Sequence, residues 1–404
     1  MEWKEVTLGD LCEISSSKRI FAKEYQSDGV PFYRGKEIIA KQKGNAISNE
    51  LFISRNRYEE IKARYGVPQQ RELLLTSVGT LGVPYVIKEE EFYFKDGNLT
   101  WFRHFNGLDV EYLYYWFLSP YGKNEINTKA IGSTQKALTI DSLSKFDIKI
   151  PVNLDDQRRI ASILSSLDRK IELNNKINAD LEEMAQAIFK NWFVDFEPFK
   201  DGKFVDSELG MIPEGWKVGR LTEIASYMNG LAMQKFPPEN NEDSLPVLKI
   251  KELGQGFCGT DSDRCSCNIK DECKIHNGDV IFSWSGTLLV DVWCGGDCGL
   301  NQHLFKVTSK DYPKWFYYYW TKHHLQEFIH IAKDKAVTMG HIKRGHLEEA
   351  MVAIPDNDSM EKAHELFEPI LSKMISLRLE SSRLSLLRDT LLPRLMSGEL
   401  EVPE

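Results

Sequence analysis

The amino-acid sequence predicts an α+β fold: two homologous mixed α/β domains joined by two long antiparallel coiled-coil helices, with a pseudo-twofold internal repeat. Trp3-Lys-Glu-Val-Thr-Leu8 reappears as Trp216-Lys-Val-Gly-Arg-Leu221, and Ile148-Lys-Ile-Pro151 reappears as Val352-Ala-Ile-Pro355. A heptad pattern of apolar residues follows each proline. A repeat this long indicates a duplicated domain with a duplicated helix, since solenoid units span only about 20 to 50 residues. The predicted segments are residues 1–151 for the first domain, 152–198 for the first long helix, 199–355 for the second domain, and 356–404 for the second long helix and tail.

The first long helix is predicted by a start signal and an apolar seam. Asn153 can cap the helix, and Asp155 and Asp156 follow where the helix dipole favours carboxylates. Asn174 and Asn178 form two polar layers in the seam, which cost stability but fix partner and register. Pro198 and the region of Gly202 are expected to end the helix. The seam comprises Ile160, Leu164, Leu167, Ile171, Asn174, Asn178, Leu181, Ala185, Ile188 and Trp192.

The second long helix is predicted after Pro355, where Asp358 and Glu361 fit a capping pair. Neither seam can stay exposed, so we expect the two helices to pack on each other. Antiparallel packing would place one globular domain at each end of a dumbbell, with the helices serving as a scaffold. The second seam comprises Ala363, Phe367, Ile370, Met374, Leu377, Ser381, Leu384 and Leu391.

Each domain is predicted to contain a twisted, partly barrel-like sheet. Short β-rich runs are separated by Gly and Pro, as in residues 72–78, 85–88, 279–283 and 288–293. The aromatic stretches at 112–117 and 315–320 lie on predicted helices at matching places in the repeat. Their bulk favours a place in the core over a base-stacking platform.

Length and composition bound the class of protein. The 404 residues allow two or three domains, and 42% hydrophobic with 27% charged residues is ordinary for a globular chain. The start, Met1-Glu-Trp-Lys-Glu, resembles neither a signal nor a transit peptide. No window approaches 18 continuous apolar residues. We therefore expect a soluble, cytoplasmic protein that contacts no membrane.

Seven cysteines, an odd number, argue against a disulfide framework. Six of them cluster in the second half, without the paired Cys-x2-Cys units typical of zinc sites. Scattered reduced thiols are favoured over a bound metal, although a Cys/His metal enzyme in the second domain stays open as an alternative. The clustered cysteines are Cys258, Cys265, Cys267, Cys273, Cys294 and Cys298.

Several predicted loops combine basic groups with small or amide residues at corresponding places in the two domains. Arg and Lys suit guanine O6 and N7, whereas Asn and Gln suit adenine. We therefore expect one frame with two reading surfaces of different specificity. The net charge of −9 weighs against a free-standing nucleic-acid binder, but a local basic stripe matters more than the total. The candidate DNA-binding residues are Lys18, Arg19, Arg34, Lys36, Gln135 and Lys136, then Lys249, Lys251, Ser285, Thr287, Gln302, His303, Lys343 and Arg344.

Motifs of the common catalytic sites are missing from the sequence. It contains no Gly-x4-Gly-Lys-Ser/Thr phosphate-binding loop, no His-Glu-x-x-His pair and no Gly-x-Ser-x-Gly elbow. We therefore expect no catalytic residues and no metal site in this chain. A coiled-coil scaffold whose globular ends bind proteins, without DNA specificity, is the alternative function.

Three segments resemble the DNA-specificity subunits of type I restriction-modification enzymes. They are Ile150-Pro-Val-Asn-Leu-Asp-Asp-Gln157 with the helix that follows, the junction Phe189-Lys-Asn-Trp-Phe-Val-Asp-Phe196 with Gly210-Met-Ile-Pro-Glu-Gly-Trp216, and the ending Leu387-Arg-Asp-Thr-Leu-Leu-Pro-Arg-Leu-Met-Ser-Gly398. The resemblance covers essentially the whole chain. It departs from the family pattern at Val152-Asn153 and Asp156-Gln157, where a double proline and Glu-Gln are usual.

The resemblance implies that the chain is a non-catalytic subunit with two target recognition domains. Each would read one half of a split, asymmetric site in double-stranded DNA. The helices would act as a molecular ruler and bind two modification subunits, which carry S-adenosylmethionine and methylate adenine. Two restriction subunits, if present, would add ATP- and Mg-dependent translocation and cleavage. The chain itself would bind no cofactor.

Overall fold

The computed structural model describes residues 1–48, 50–132, 136–239, 243–334 and 340–402. The chain forms two compact units. The first unit comprises Met1–Glu172 together with Leu384–Glu404, and the second comprises Leu173–Arg383. Both long helices are therefore divided between the units, and the predicted domain limits stay a prediction.

The first unit contains two four-stranded sheets and a two-stranded pair in its described residues. One sheet has the order β2-β9-β6-β7, the other has the order β3-β5-β4-β8, and β1 pairs with β10. Its strands are β1 (Trp3–Thr7), β2 (Glu13–Ser15), β3 (Tyr25–Gln26), β4 (Val30–Tyr33), β5 (Phe52–Ile53), β6 (Leu73–Thr76), β7 (Pro84–Val86), β8 (Tyr93–Phe94), β9 (Leu99–Arg103) and β10 (Asp147–Pro151). Its helices are α1 (Gly35–Gln42), α2 (Arg55–Tyr65), α3 (Val110–Leu118), α4 (Pro120–Lys129) and α5 (Ile140–Ser144), followed by the first long helix α6 (Leu154–Phe193).

The second unit repeats this plan after an added hairpin of β11 with β12. Its sheets have the orders β14-β21-β18-β19 and β16-β15-β20-β17, and β13 pairs with β22. Its strands are β11 (Phe204–Ser207), β12 (Gly210–Pro213), β13 (Lys217–Arg220), β14 (Ser226–Asn229), β15 (Ser244–Leu248), β16 (Arg264–Ser266), β17 (Lys274–Ile275), β18 (Val280–Ser283), β19 (Leu289–Val292), β20 (Cys298–Leu300), β21 (Leu304–Thr308) and β22 (Met351–Ile354). Its helices are α7 (Leu221–Ile224), α8 (Ile250–Gln255), α9 (Lys314–His323), α10 (Leu325–Asp334) and α11 (Arg344–Glu349), followed by the second long helix α12 (Asn357–Ser397).

Strand register confirms the internal repeat. Lys4 pairs with Ile150 in the first unit, and Lys217 pairs with Ile354 in the second, as the sequence match requires. In both units a parallel pair, β4 with β8 and β15 with β20, lies in an otherwise antiparallel arrangement. The two domains thus share one frame but differ in loop length and in one outer strand, which is β3 beside β5 in the first unit and β17 beside β20 in the second.

Both aromatic helices lie in the core, as predicted. Tyr112 and Phe117 of α3 are fully buried, and so are Trp315 and Tyr318 of α9. The predicted β-rich runs correspond to β6, β7, β18 and β19. No helix among the described residues is long and apolar enough to cross a membrane.

The two long helices are antiparallel where they pair in the second unit. Asn174 donates its amide to Ser381 at 3.3 Å, whereas the Phe189 ring lies 6.2 Å from that of Phe367. As the position rises in α6, it therefore falls in α12. Asn153 caps α6, as predicted, because its Oδ1 accepts from the backbone of Asp155 at 2.9 Å.

The helix seams are as predicted, but they are only part of what the helices bury. Every predicted seam residue is buried or half-buried, including both asparagine layers. A second face, which the heptads did not predict, packs into the globular cores. Phe189 and Phe193 join the core of the second unit, and Leu392, Leu395 and Met396 join that of the first.

The start of α12 differs from the predicted capping pair. Asp356, not Asp358, supplies the cap, accepting from the backbone of Ser359 at 2.8 Å. Asp358 lies within the first turn, where its charge still matches the helix dipole.

Candidate functional site

In each domain, the candidate site includes the N-terminus of the helix that follows the first strand of the parallel pair. β4 ends at Tyr33 and β15 ends at Leu248, so Arg34 and Lys249 occupy equivalent positions just before α1 and α8. Each helix start is fixed by a buried glutamate three residues later. The backbone N–H of Arg34 donates to Glu37 at 2.9 Å, and that of Lys249 donates to Glu252 at 3.3 Å. A basic side chain is thereby positioned at the same point of both domains.

Glu37 and Arg34 form a charged pair that is fixed in its geometry. The Arg34 guanidinium donates to Glu37 at 2.6 Å, and the Glu37 side chain is 1% exposed. Burial opposes ionisation of Glu37, but the side-chain and backbone hydrogen bonds from Arg34 outweigh it and lower the carboxyl pKa. The same contact raises the pKa of Arg34. Lys36 is exposed, with its ammonium 3.6 Å from Glu37.

Both lysines at the start of α8 are paired with aspartates from the loop that follows the helix. Lys249 contacts Asp263, and Lys251 contacts Asp261 at 2.5 Å. All four side chains are substantially exposed. The hydrogen bond from Lys251 lowers the pKa of Asp261 and raises that of the lysine. Both cations are therefore held near the helix start without being removed from solvent.

Lys249 lies on the wall of a surface cavity of about 440 Å³ in the second unit. The cavity brings Lys249 together with two more predicted site residues, Gln302 and His303. The loop that carries them is ordered by local contacts: Asn301 accepts from the His303 backbone at 3.2 Å, and the Gln302 amide lies 3.3 Å from His303 Nε2. The other lining residues are Met233, Gln234, Val247, Asp263, Arg264 and Asn301.

Two further loops meet beside this cavity. The backbone of Gly286 donates to Gly340 at 2.9 Å, and that of Ile342 donates to Trp284 at 3.1 Å. The Trp284 ring contacts both His303 and His341, with centroids 5.9 and 6.4 Å apart. The loops at 283–287, 301–303 and 340–344 therefore form one cluster.

The predicted residues of these two loops differ in exposure. Thr287, Lys343 and Arg344 are exposed, with Lys343 at the cap position of α11. Ser285 is only 4% exposed, because it forms an isolated β-bridge with His341. Because it is buried, Ser285 is placed to support the exposed residues beside it in the loop.

In the first unit, Lys18 and Arg19 lie on the loop that crosses the end of β8. The Lys18 backbone donates to the Tyr93 hydroxyl at 2.6 Å, and its ammonium lies 5.1 Å from the centre of the Tyr65 ring. Arg19 donates to Asp96 at 2.7 Å. This arrangement brings both basic residues to the loop between β8 and β9.

Lys136 is exposed beside Ala137, which bridges to Val78 in the turn after β6. The equivalent bridge in the second unit joins His341 to Ser285. Gln135, the remaining predicted residue, lies outside the described residues.

Strand register gives the residue-by-residue match between the loops that precede β9 and β21. Leu99 opposes Thr76 just as Leu304 opposes Ser283, so Asn98 is equivalent to His303. The loop at 95–98 is thus the counterpart of the loop at 301–303, in agreement with the sequence similarity of residues 94–99 to the region of residues 298–302. It combines a basic residue, Lys95, with an amide residue, Asn98, which is the same pattern that marks the other candidate loops.

Cysteines and histidines of the second unit do not assemble a metal centre in the part of the chain that the structure describes. None of the seven cysteines, all of which the structure describes, is in a disulfide bond. No group of three or more His, Cys, Asp or Glu side chains with metal-binding geometry occurs among the described residues. His324 instead binds the backbone carbonyl of Met351 through Nε2 at 2.8 Å, and it lines a second cavity of about 250 Å³ with Trp320 and Phe193.

Comparisons with known proteins agree with this architecture. A family model described as "Type I restriction modification DNA specificity domain" matches residues 1–183 and 213–377. The specificity subunit of the type I restriction enzyme MjaIX from Methanocaldococcus jannaschii is 28% identical over 100% of this chain and 94% of its own length. The HindI specificity subunit from Haemophilus influenzae is 23% identical over 65% of this chain and 71% of its own. A crystal structure of a type I restriction-modification S subunit from M. genitalium has a TM-score of 0.58 at 15% identity, covering 98% of this chain and 96% of that one.

Proposed function

Because the chain belongs to the family of type I restriction-modification DNA specificity domains, we propose that it is the sequence-specific DNA-binding subunit of a type I restriction-modification complex. Each domain reads one half of a bipartite, asymmetric target. The long helices act as a spacer ruler and as a docking surface for two adenine-methyltransferase subunits. The chain contributes no catalytic group.

The observation that carries the proposal is the pair of equivalent surfaces with different side chains. Both domains place a basic residue, Arg34 or Lys249, at the same helix start. Such a shared cation suits a phosphate, which carries no sequence information. Beside it, Asn98 in one domain stands where His303 stands in the other. Hydrogen-bonding groups that differ on a common frame suit the reading of two unrelated half-sites.

The cofactors of the complex belong to its other subunits in this proposal. S-adenosylmethionine is bound by the methyltransferase subunits, and ATP with Mg by two restriction subunits if they are present. This chain contributes binding and orientation. Its contacts with the duplex bring the target adenine of each half-site to a methyltransferase active site.

The direct test is a methylation map. The chain is co-expressed with its modification subunits, and methylated adenines are located across the host genome with and without it. We expect one bipartite sequence with an unread spacer, and half-site centres about one helical turn, or about 10 base pairs, apart. Methylation that does not depend on the chain would contradict the proposal and favour the protein-binding scaffold.

Assignment of the reading surface is tested by substitutions in one domain. Gln302→Ala with His303→Ala should relax the second half-site and leave the first unchanged, because direct readout is local. Lys217→Ala, on another sheet of the same domain, is the matched control. Relaxation of both half-sites, or of neither, would refute this assignment.

The ruler is tested by lengthening both helices together. One heptad is inserted at Asn174 in α6 and one opposite it at Ser381 in α12, so that the paired seam keeps its register. Seven residues add about 10 Å of helix, close to three base pairs of about 3.4 Å each. The preferred spacer should lengthen while both half-sites stay the same. An unchanged spacer in the methylation map would reject the ruler.

A further inference from the structure

The acidic loop between α8 and β16, residues 258–263, lies over the start of α8. Asp261 and Asp263 come from this loop; Lys251, the partner of Asp261, lies in the first turn of the helix, and Lys249, the partner of Asp263, is the residue just before it. Each of the two lysine side chains is therefore paired with an aspartate from the same short loop.

The loop is held in place by its own hydrogen bonds. Ser262 donates its hydroxyl to the buried Glu252 at 3.1 Å and accepts from the Gly259 backbone at 3.0 Å. The Asp263 carbonyl accepts from the backbone of Val247 at 2.8 Å. Both aspartates are thus carried by an ordered segment that is tied to the helix and to β15.

The first domain arranges its cations differently. Arg34 and Lys36 contact Glu37, a residue of their own helix that also fixes the helix start. Glu37 is buried and serves the fold, whereas the side chains of Asp261 and Asp263 are 70% and 65% exposed. Ion pairs this exposed contribute little to stability. Their main consequence is electrostatic, at the surface where a phosphate would bind.

We propose that the acidic loop is an internal counterion that a duplex must displace before Lys249 and Lys251 can bind phosphate. The inference rests on the proposed function. In the free protein the two carboxylates form ion pairs with the ammonium groups, and this competition lowers the affinity of the second domain for any duplex. Discrimination between DNA sequences is instead assigned to Gln302 and His303, which line the neighbouring cavity.

The test uses the complex of this chain with its modification subunits and a double variant, Asp261→Asn with Asp263→Asn. Amides keep the shape of the side chains but remove the competing charge. Because the two pairs are exposed and individually weak, removing both should tighten binding by a modest factor, roughly 2- to 30-fold. The logarithmic salt dependence should steepen by up to about 1.8, or about 0.9 for each freed lysine.

The matched control is Asp271→Asn, which breaks another exposed pair, Asp271 with Lys274 at 2.8 Å, in the same domain. It changes the net charge but should not tighten binding or steepen the salt dependence to the same extent. In a Lys249→Ala, Lys251→Ala background, the two Asn substitutions should lose most of their effect, because the cations they release are gone.

Fluorescence anisotropy with a duplex containing the mapped target and one lacking it gives both quantities. Tighter binding and a steeper salt dependence on both duplexes, beyond those of the Asp271→Asn control, support the inference. Equal behaviour of the double variant and the control overturns it while leaving the proposed function intact. Absence of salt-dependent duplex binding by the unmodified complex would instead contradict the proposed function.

Discussion

Asn178 tests whether a polar residue in the seam between the two long helices lowers the stability of the protein. This residue is 8% exposed, and neither atom of its amide group has a hydrogen-bond partner among the described residues. A buried polar atom without a partner costs about 1 to 3 kcal/mol. The residue therefore weakens the structure that it belongs to.

Replacing Asn178 by Leu, which has a similar branched shape, should stabilise the helix pair. Removing two unpaired atoms gains about 2 to 6 kcal/mol, and fitting the larger side chain costs about 1 to 3 kcal/mol. The midpoints of these two ranges differ by about 2 kcal/mol, so we expect the free energy of unfolding of the second unit to rise by about 2 kcal/mol. The neighbouring layer is the control. Asn174 donates to Glu380 at 2.8 Å and to Ser381 at 3.3 Å, so Asn174→Leu should gain less or destabilise.

Urea unfolding gives the overall change, and native-state hydrogen exchange at Leu181 and Ala185 locates it in this segment. A loss of more than about 1 kcal/mol in Asn178→Leu would refute the reasoning. It would mean that the amide is satisfied by ordered water or by a partner subunit. Stabilisation with an unchanged methylation spacer would indicate that the layer is not needed for register.

Three further substitutions test other parts of the fold. Glu37→Gln should cost about 1 to 3 kcal/mol at neutral pH, because it removes the charge that binds Arg34. The pKa of Glu37 is lowered in the folded state, so its contribution to stability is present above the ordinary pKa of 4.5 and is lost as the pH falls through the folded-state pKa. Urea unfolding should therefore show a difference in stability between wild type and Glu37→Gln at neutral pH that shrinks at acidic pH. A difference that does not change with pH would contradict this. Leu395→Ala, at a position 3% exposed in the core of the first unit, should cost about 2 to 5 kcal/mol; an unchanged urea midpoint would show that the end of α12 is dispensable there. Gly398→Ala should also destabilise the first unit, measured by its melting temperature, because Gly398 has φ +80° and an added Cβ would lie 2.8 Å from the Trp3 ring; an unchanged melting temperature would show that the chain end can move away.

The sequence predicted the parts of this protein that depend on periodicity and repetition. The heptads place the seam residues correctly, and the repeat of Ile148–Pro151 at 352–355 coincides with equivalent strands. These signals are local, or are copied along the chain, so they can be detected without knowledge of the tertiary structure.

The parts that the sequence did not predict depend on contacts between distant residues. The aspartates of the acidic loop reach their lysines only because the chain turns back after α8. The burial of Ser285 follows from its bridge to His341, which is far along the chain. Glu37 and Glu252 could have been found from their position three residues after the helix cap, a spacing typical of capping.

The divided composition of the first unit has a consequence for biosynthesis. Its core needs Leu392, Leu395 and Met396, which are added to the chain after every residue of the second unit. A chain that lacks these residues can therefore complete the core of the second unit but not that of the first. Chains truncated after Arg383 should resist protease in the second unit and remain susceptible in the first. Although synthesis of the first unit begins earlier, we expect this unit to be the last to complete its core.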